Sequence, residues 1–154
     1  MSVNQTLKKK LEKMDREQLL RLFDDLCRAN EVEKLLKLML CPTKASIDRA
    51  LKRFENSCYY LCDSFSARAF RTLEEAAEPL HASLKYADEK LFVYTVFQMH
   101  SVLDETGLLE TDFYDMLTDY QADYTNILLE KRTLFSDQEY EMYKDIADKS
   151  MLDP

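Results

Sequence analysis

Apolar residues return every three or four positions along most of this chain, the period of helices with one face turned to a core. The first stripe, Val3, Leu7 and Leu11, predicts a short helix. Asp15 is placed to cap a second. Gln18 stands three residues on, where the reciprocal side chain of a capping box belongs, and Met14 and Leu19 hold the two hydrophobic-staple positions. Leu19, Leu22, Phe23 and Leu26 are expected to face inward, with Asn30 ending this helix in a left-handed conformation. Val32, Leu35, Leu36 and Met39 predict a third helix, stopped by Pro42. Thr43 can cap a fourth, whose inward positions are Ile47, Ala50, Leu51, Phe54, Cys58, Leu61 and Cys62. The run Asp63 to Ser66 reads as a break, because Ser and Asp compete locally for backbone hydrogen bonds. Ala67, Phe70, Leu73 and Ala77 mark a fifth helix that Pro79 ends or kinks.

The next segment differs. Leu91, Phe92, Val93, Tyr94, Val96, Phe97, Val102 and Leu103 cover nearly the whole circumference of a helix capped by Asp88. A helix apolar on all sides belongs at the centre of a bundle. The same run has high β propensity, but nothing else in the chain offers a strand to pair with it. Gly107 suits the position just past the end of this helix, with Leu108 able to touch Leu103 as a Schellman ending requires. Thr111 opens a long helix to about Lys131, with Phe113, Met116, Leu117, Tyr120, Tyr124, Ile127 and Leu128 inward. Ser136 caps the last helix, with Glu139 at the capping-box position and Phe135 and Tyr140 as a staple. The expectation is an all-α fold: one helical domain over residues 1–154, a compact bundle of about seven or eight helices around a central apolar helix.

Composition agrees. The 154 residues include one Gly and three Pro, too few turn formers for an all-β fold. Apolar residues at 46% and charged residues at 32% exclude a disordered chain and a membrane protein. The longest uncharged stretch, Leu91 to Leu103, is shorter than the roughly 20 residues that cross a bilayer. With no apolar signal core near the start, Cys27, Cys41, Cys58 and Cys62 are expected to be reduced thiols in a cytosol.

Charge adds a polarity that periodicity does not reveal. Residues 1–75 carry 15 Lys and Arg against 12 Asp and Glu, and residues 76–154 carry 6 against 17. Asp112, Asp115, Asp119, Asp123, Asn126 and Glu130 fall in one narrow arc of their helix, and no Lys or Arg stands four residues beyond the aspartates. Such neighbours repel by about 0.2–0.5 kcal/mol per pair. A solvated face tolerated by tertiary packing is the ordinary explanation. Basic helices of the same chain or a basic protein partner are the functional ones. Carboxylates on one straight helix point too nearly parallel to converge on a divalent ion, so no metal is expected. Lys8, Lys9, Lys10, Lys13 and Arg16, and further on Arg49, Lys52 and Arg53, could touch phosphates. The acidic balance, with a pI near 4.8, favours a solvated face for them.

Conventional chemistry is thin. Cys58 and Cys62 share a helical face but lack the second pair a zinc site needs, so core packing is favoured. His81 and His100 belong to no metal or ribonuclease motif, and one Gly allows no Gly-rich phosphate loop. No cofactor is expected, and an enzyme that assembles His81 or His100 with distant acids is the least favoured reading. Among the nine tyrosines, Tyr114 lies outside the apolar face of its helix, beside the aspartates, as suits a protein-binding surface.

The opening LKKKLEKMDREQLLRLFDDL, the short helix ending at Cys41-Pro42, and the segments ADEKLFVYTVF and ETDFYDML resemble a family of small bacterial helical proteins known only as a domain of unknown function. The resemblance implies an all-helical cytosolic fold and carries no activity. The functional expectation is a non-enzymatic protein-interaction or regulatory module acting through the acidic surface of Asp112, Asp115, Asp119, Asp123, Glu130 and Tyr114. The alternative is a nucleic-acid-associated protein using Lys8, Lys9, Lys10, Lys13 and Arg16.

Overall fold

Eight α-helices dominate the regular structure among the described residues, and no strand is present there. The computed structural model describes residues 4–27, 30–108 and 112–151, the side chains of 27, 30, 31, 112–116, 118 and 147–151 excepted. The chain divides into two compact units, Met1–Lys37 and Leu38–Pro154.

The first unit holds α1 (Gln5–Glu12), α2 (Arg16–Cys27) and most of α3 (Asn30–Leu40). Asn4 caps α1, its side-chain oxygen accepting from the Thr6 N–H at 2.9 Å. The capping box of α2 forms as its sequence predicts. Asp15 accepts from the Gln18 N–H at 2.8 Å and Gln18 from the Asp15 N–H at 3.0 Å. The inward stripe does not follow it: Leu19 and Leu22 are half-buried, but Phe23 and Leu26 are exposed. A stripe at helical spacing is only a capacity for burial, and a unit this small has little other chain to realise it. Asn30 is likewise corrected. It begins α3, and no described residue other than Gly107 has positive φ. Asn serves a helix start as readily as a left-handed end. Val3 lies outside the described residues. On α3 the residue that reaches a core is Leu38, whereas Leu35 is exposed.

The second unit is the bundle of α4 (Lys44–Asp63), α5 (Ala67–Ser83), α6 (Glu89–Glu105), α7 (Asp112–Glu130) and α8 (Asp137–Met151). Thr43 caps α4 in a reciprocal box with Ser46, at 2.9 and 3.1 Å. Ile47, Leu51, Phe54, Cys58 and Leu61 are buried as expected. Cys62 is not: it is exposed, and its thiol donates to the Thr106 carbonyl at 3.3 Å. Its place in the last turn of α4 puts it at the rim of the core, beside the end of α6. Ser66 caps α5 through the Ala69 N–H. Pro79 does not end that helix, which continues to Ser83. Proline removes one hydrogen bond to the preceding turn, but Leu80 and Ser83 beyond it are buried, and Ser83 donates to the Leu80 carbonyl at 2.6 Å.

The central helix is α6, which packs against α4, α7 and α8. It divides the core. Leu91, Met99, Val102 and Leu103 join the residues of α4 and α5, and Phe92, Val93 and Val96 join those of α7 and α8. Thr95 is fully buried within it and returns its hydroxyl proton to the Leu91 carbonyl at 2.8 Å. Gly107 terminates this helix at φ +73°, and its N–H bonds the Asp104 carbonyl at 3.2 Å, as in a Schellman ending. Leu108 is buried in the same cluster as Leu103. A Cβ on Gly107 would meet nothing within 4 Å, so any penalty there is purely conformational. Gly107→Ala is expected to cost about 1–2 kcal/mol in urea unfolding, and Gly107→Asn less, since Asn tolerates the left-handed region. Equal stability of all three would contradict the observed ending.

Leu117, Tyr124 and Leu128 bury the inner face of α7, while Thr111 and the side chains of Phe113 and Met116 lie outside the described residues. The Tyr124 hydroxyl donates to the Tyr143 carbonyl of α8 at 2.7 Å. Ser136 and Glu139 form the capping box of α8 at 3.0 and 3.1 Å, and the Ser136 N–H holds the Glu139 carboxyl below its usual range. Among the described residues no helix is long and apolar enough to cross a membrane.

Candidate functional site

The rotation of α7 about its axis is set by its buried side chains. With Leu117, Tyr124 and Leu128 inward, positions 119, 123, 126 and 130 come out on the opposite side, and all four are exposed. Asp119, Asp123 and Glu130 make no ion pair among the described residues. The side chains of Asp112, Tyr114 and Asp115, expected on the same stripe, lie outside the described residues.

The stripe borders a groove. A cleft of ≈ 630 Å³ is lined by Met39 and Leu40 at the end of α3, His81, Lys85 and Tyr86 around the end of α5, Phe92 of α6, and Tyr120 and Asp123 of α7. A second, of ≈ 380 Å³, shares Phe92 and Asp123 with the first and continues along Glu89, Asn126, Ile127 and Glu130. Their lining sets apolar side chains beside the carboxylates of Glu89, Asp123 and Glu130, with Lys85 among them. Leu40 and Tyr86 remain 50% and 52% exposed there, too much apolar surface to read as ordinary core margin.

One polar pair sits within the larger cleft. The Tyr120 hydroxyl lies 2.8 Å and 3.0 Å from the two ring nitrogens of His81, and the rings meet edge to face at 5.1 Å. Burial, and then the neighbouring Asp119 carboxylate, push the Tyr120 phenol up. No Ser, Thr or Cys lines this cleft. The pair offers a polar contact fixed within the cleft. His100 is half-buried on α6 and lines none of these clefts.

The other singled-out residues are placed as follows. Lys8, Lys9, Lys10, Lys13 and Arg16 are all exposed on the first unit, and the four lysines are spread around α1 rather than gathered along a groove. Cys58 is fully buried. Burial first, then Cys62 and Glu55, push its thiol up to about 12, so it is an unreactive core residue. Among the described residues no three His, Cys, Asp or Glu side chains come together as a metal site would need.

Sequence reasoning reached the acidic face but missed the groove beside it. Leu40, Tyr86, Glu89 and Phe92 come from three separate segments. The available signal was an exposed-type aromatic, Tyr86, in the short connection between α5 and α6. No family model matches the chain, and neither a curated protein nor a solved structure matches it.

Proposed function

We propose that this protein is a non-enzymatic interaction module whose partner is a basic, amphipathic protein segment seated in the groove between the end of α5, α6 and α7. The observation that carries this reading is the pairing of the half-exposed Leu40 and Tyr86 with the carboxylates of Glu89, Asp123 and Glu130, which make no ion pair among the described residues. Apolar side chains at i, i+3, i+4 and i+7 of a helical segment would cover Leu40, Tyr86 and Phe92, and Lys or Arg on its flank would meet the rim. Rim ion pairs contribute only about 0.2–1 kcal/mol each. They act mainly on association rate and on the choice of a basic over an acidic partner. The His81–Tyr120 pair supplies a fixed polar contact within the groove.

The test uses a fluorescent Lys- and Leu-patterned amphipathic peptide and its Glu-for-Lys counterpart. The basic peptide is expected to bind with salt-dependent affinity and the acidic one not to bind. The triple variant Asp119→Lys, Asp123→Lys, Glu130→Lys is expected to weaken binding about tenfold or more, with unchanged circular dichroism, because all three side chains are exposed. Equal binding of both peptides, or no effect of the triple reversal, would refute the reading.

A further inference from the structure

A second groove runs along α4 where it meets α5, and its chemistry is the opposite of the first. Its ≈ 490 Å³ is lined by Arg49, Lys52, Arg53, Asn56 and Tyr60, with Ser57 and Thr72 at its base. No carboxylate lines it, whereas Asp123 lines the larger cleft described above, and Glu89, Asp123 and Glu130 the smaller. Arg49, Lys52, Arg53, Asn56 and Tyr60 fall within an arc of about 100° on the α4 surface. Arg49 and Arg53 meet no carboxylate among the described residues, and Lys52 makes only a long 3.9 Å contact with Glu55. Two arginines one turn apart, both unpaired, repel by about 0.2–0.5 kcal/mol, which a bound anion would relieve.

The hydrogen-bonding inventory of the groove selects its ligand. The Ser57 hydroxyl is committed to the Arg53 carbonyl at 2.8 Å and that of Thr72 to the Arg68 carbonyl at 2.9 Å. Arg49, Lys52 and Arg53 supply cationic donors with no carboxylate in the lining, and the Asn56 amide can donate beside them. Three cations spaced along a groove of this length suit phosphodiester oxygens. Tyr60 adds an aromatic ring, 40% exposed, at the far end. From Arg49 to Tyr60 the helix rises about 16 Å, room for about four nucleotides of a stacked strand.

We propose that the α4–α5 groove binds a short stretch of single-stranded nucleic acid, with phosphates on Arg49, Lys52 and Arg53 and an unpaired base stacked on Tyr60. The net charge of −8 opposes long-range attraction, so binding rests on short-range contacts and is strongest at low salt. The site shares no lining residue with the acid-rimmed groove.

Fluorescence anisotropy on the full chain, with labelled oligothymidylate and oligouridylate, tests this between about 50 and 200 mM salt. The double variant Arg49→Ala, Arg53→Ala is expected to weaken binding at least about tenfold. It should also flatten the log affinity against log salt slope by about 1.4, the signature of two lost phosphate contacts. Tyr60→Ala is expected to weaken binding between about fivefold and a hundredfold without changing that slope, and Tyr60→Phe to bind as the parent does. Failure to bind either strand at low salt overturns the proposal. So does a salt slope unaffected by the arginine changes, or duplex DNA competing as well as single strand. A loss on Lys8→Ala, Lys9→Ala, Lys10→Ala in place of the α4 variants overturns it too.

Discussion

Phe54→Ala is expected to destabilise the bundle by about 3–5 kcal/mol, the range for deleting a fully buried aromatic and leaving a cavity. Phe54 is 1% exposed and belongs to the core cluster in which α4, α5 and α6 meet, with Ile47, Leu51 and Leu61 on its own helix, Leu73 and Leu80 on α5, and Leu103 on α6. Rigid helices on three sides leave little freedom to collapse into the space, which places the cost in the upper part of the range. Total stabilities are about 5–15 kcal/mol, so a large share would be lost. The midpoint of thermal unfolding should fall by roughly 10 °C or more. Phe65 is the control: it is 80% exposed, and Phe65→Ala should stay within about 0.5 kcal/mol of the parent. If urea unfolding put both variants within about 1 kcal/mol of the parent, the assignment of Phe54 to the core would be wrong.

The second large effect is alkaline. Cys58 is buried and its thiol is raised from 9.0 to about 12, by burial first, then by Cys62 and Glu55. Tyr124 is also buried, and its phenol is raised above its ordinary 10.0 by burial and then by Tyr143. Both groups have a folded value above the unfolded one, so their contribution is fully present below the unfolded value and is lost as pH rises. Above about pH 9 the unfolded chain releases the Cys58 proton while the folded chain retains it. Stability then falls by about 1.4 kcal/mol per pH unit, or about 4 kcal/mol by pH 12. Tyr124 adds a comparable slope above about pH 10. Urea titrations under reducing conditions at about pH 8, 10 and 11 measure the sum. Cys58→Ala should remove one proton's worth of slope between pH 9 and 12. Tyr124→Phe should reduce the later steepening, to which the raised phenols of Tyr94, Tyr120 and Tyr143 also contribute, and loses the bond to the Tyr143 carbonyl at about 1–3 kcal/mol. Stability that stays level from pH 8 to 10 would show that Cys58 is not desolvated.

The two grooves give the protein two surfaces of opposite sign within the same bundle, and their tests are separable. Reversing Asp119, Asp123 and Glu130 acts on a basic peptide. Removing Arg49 and Arg53 acts on a nucleic acid strand. Neither change touches a buried residue, so each leaves the core cluster around Phe54 intact.

Much of the architecture was legible from short stretches of chain. Asp15 with Gln18, Thr43, Asp88, Gly107, and Ser136 with Glu139 each act on backbone groups within four residues. Their chemistry is complete in the local sequence. The central position of α6 was legible for a different reason: apolar side chains cover nearly its whole circumference, and the face of Tyr94, Phe97, Gln98 and Ser101 stays half-buried. The exposed α7 stripe was half legible. The spacing of Asp119, Asp123 and Glu130 showed that they share a side, but not that a groove opens beside them.

The misreadings share one cause. Phe23 and Leu26 were expected inward, and of the two outcomes expected at Pro79, an end or a kink, the end did not occur. Asn30 was expected to close α2, and Cys62 to join the core. In each case the local residue permits two outcomes, and what lies across from it decides. Leu80 and Ser83 are buried beyond Pro79, so the helix continues. The end of α6 meets the thiol of Cys62, so that side chain stays at the rim.

Most helix starts and stops, and the helix with the widest apolar circumference, are written in the local sequence. Those depend on hydrogen bonds within a turn or two and on an apolar pattern that admits one period. Only the tertiary structure decided which stripes are covered, and where grooves open between helices. It brought Leu40, Tyr86, Phe92 and Asp123 together, and it set Arg49, Arg53 and Tyr60 along a seam free of carboxylates. The physical reason is that burial and charge neutralisation are properties of pairs of surfaces. A single helix displays its residues, and only its neighbours determine whether they meet apolar side chains, an opposite charge or water.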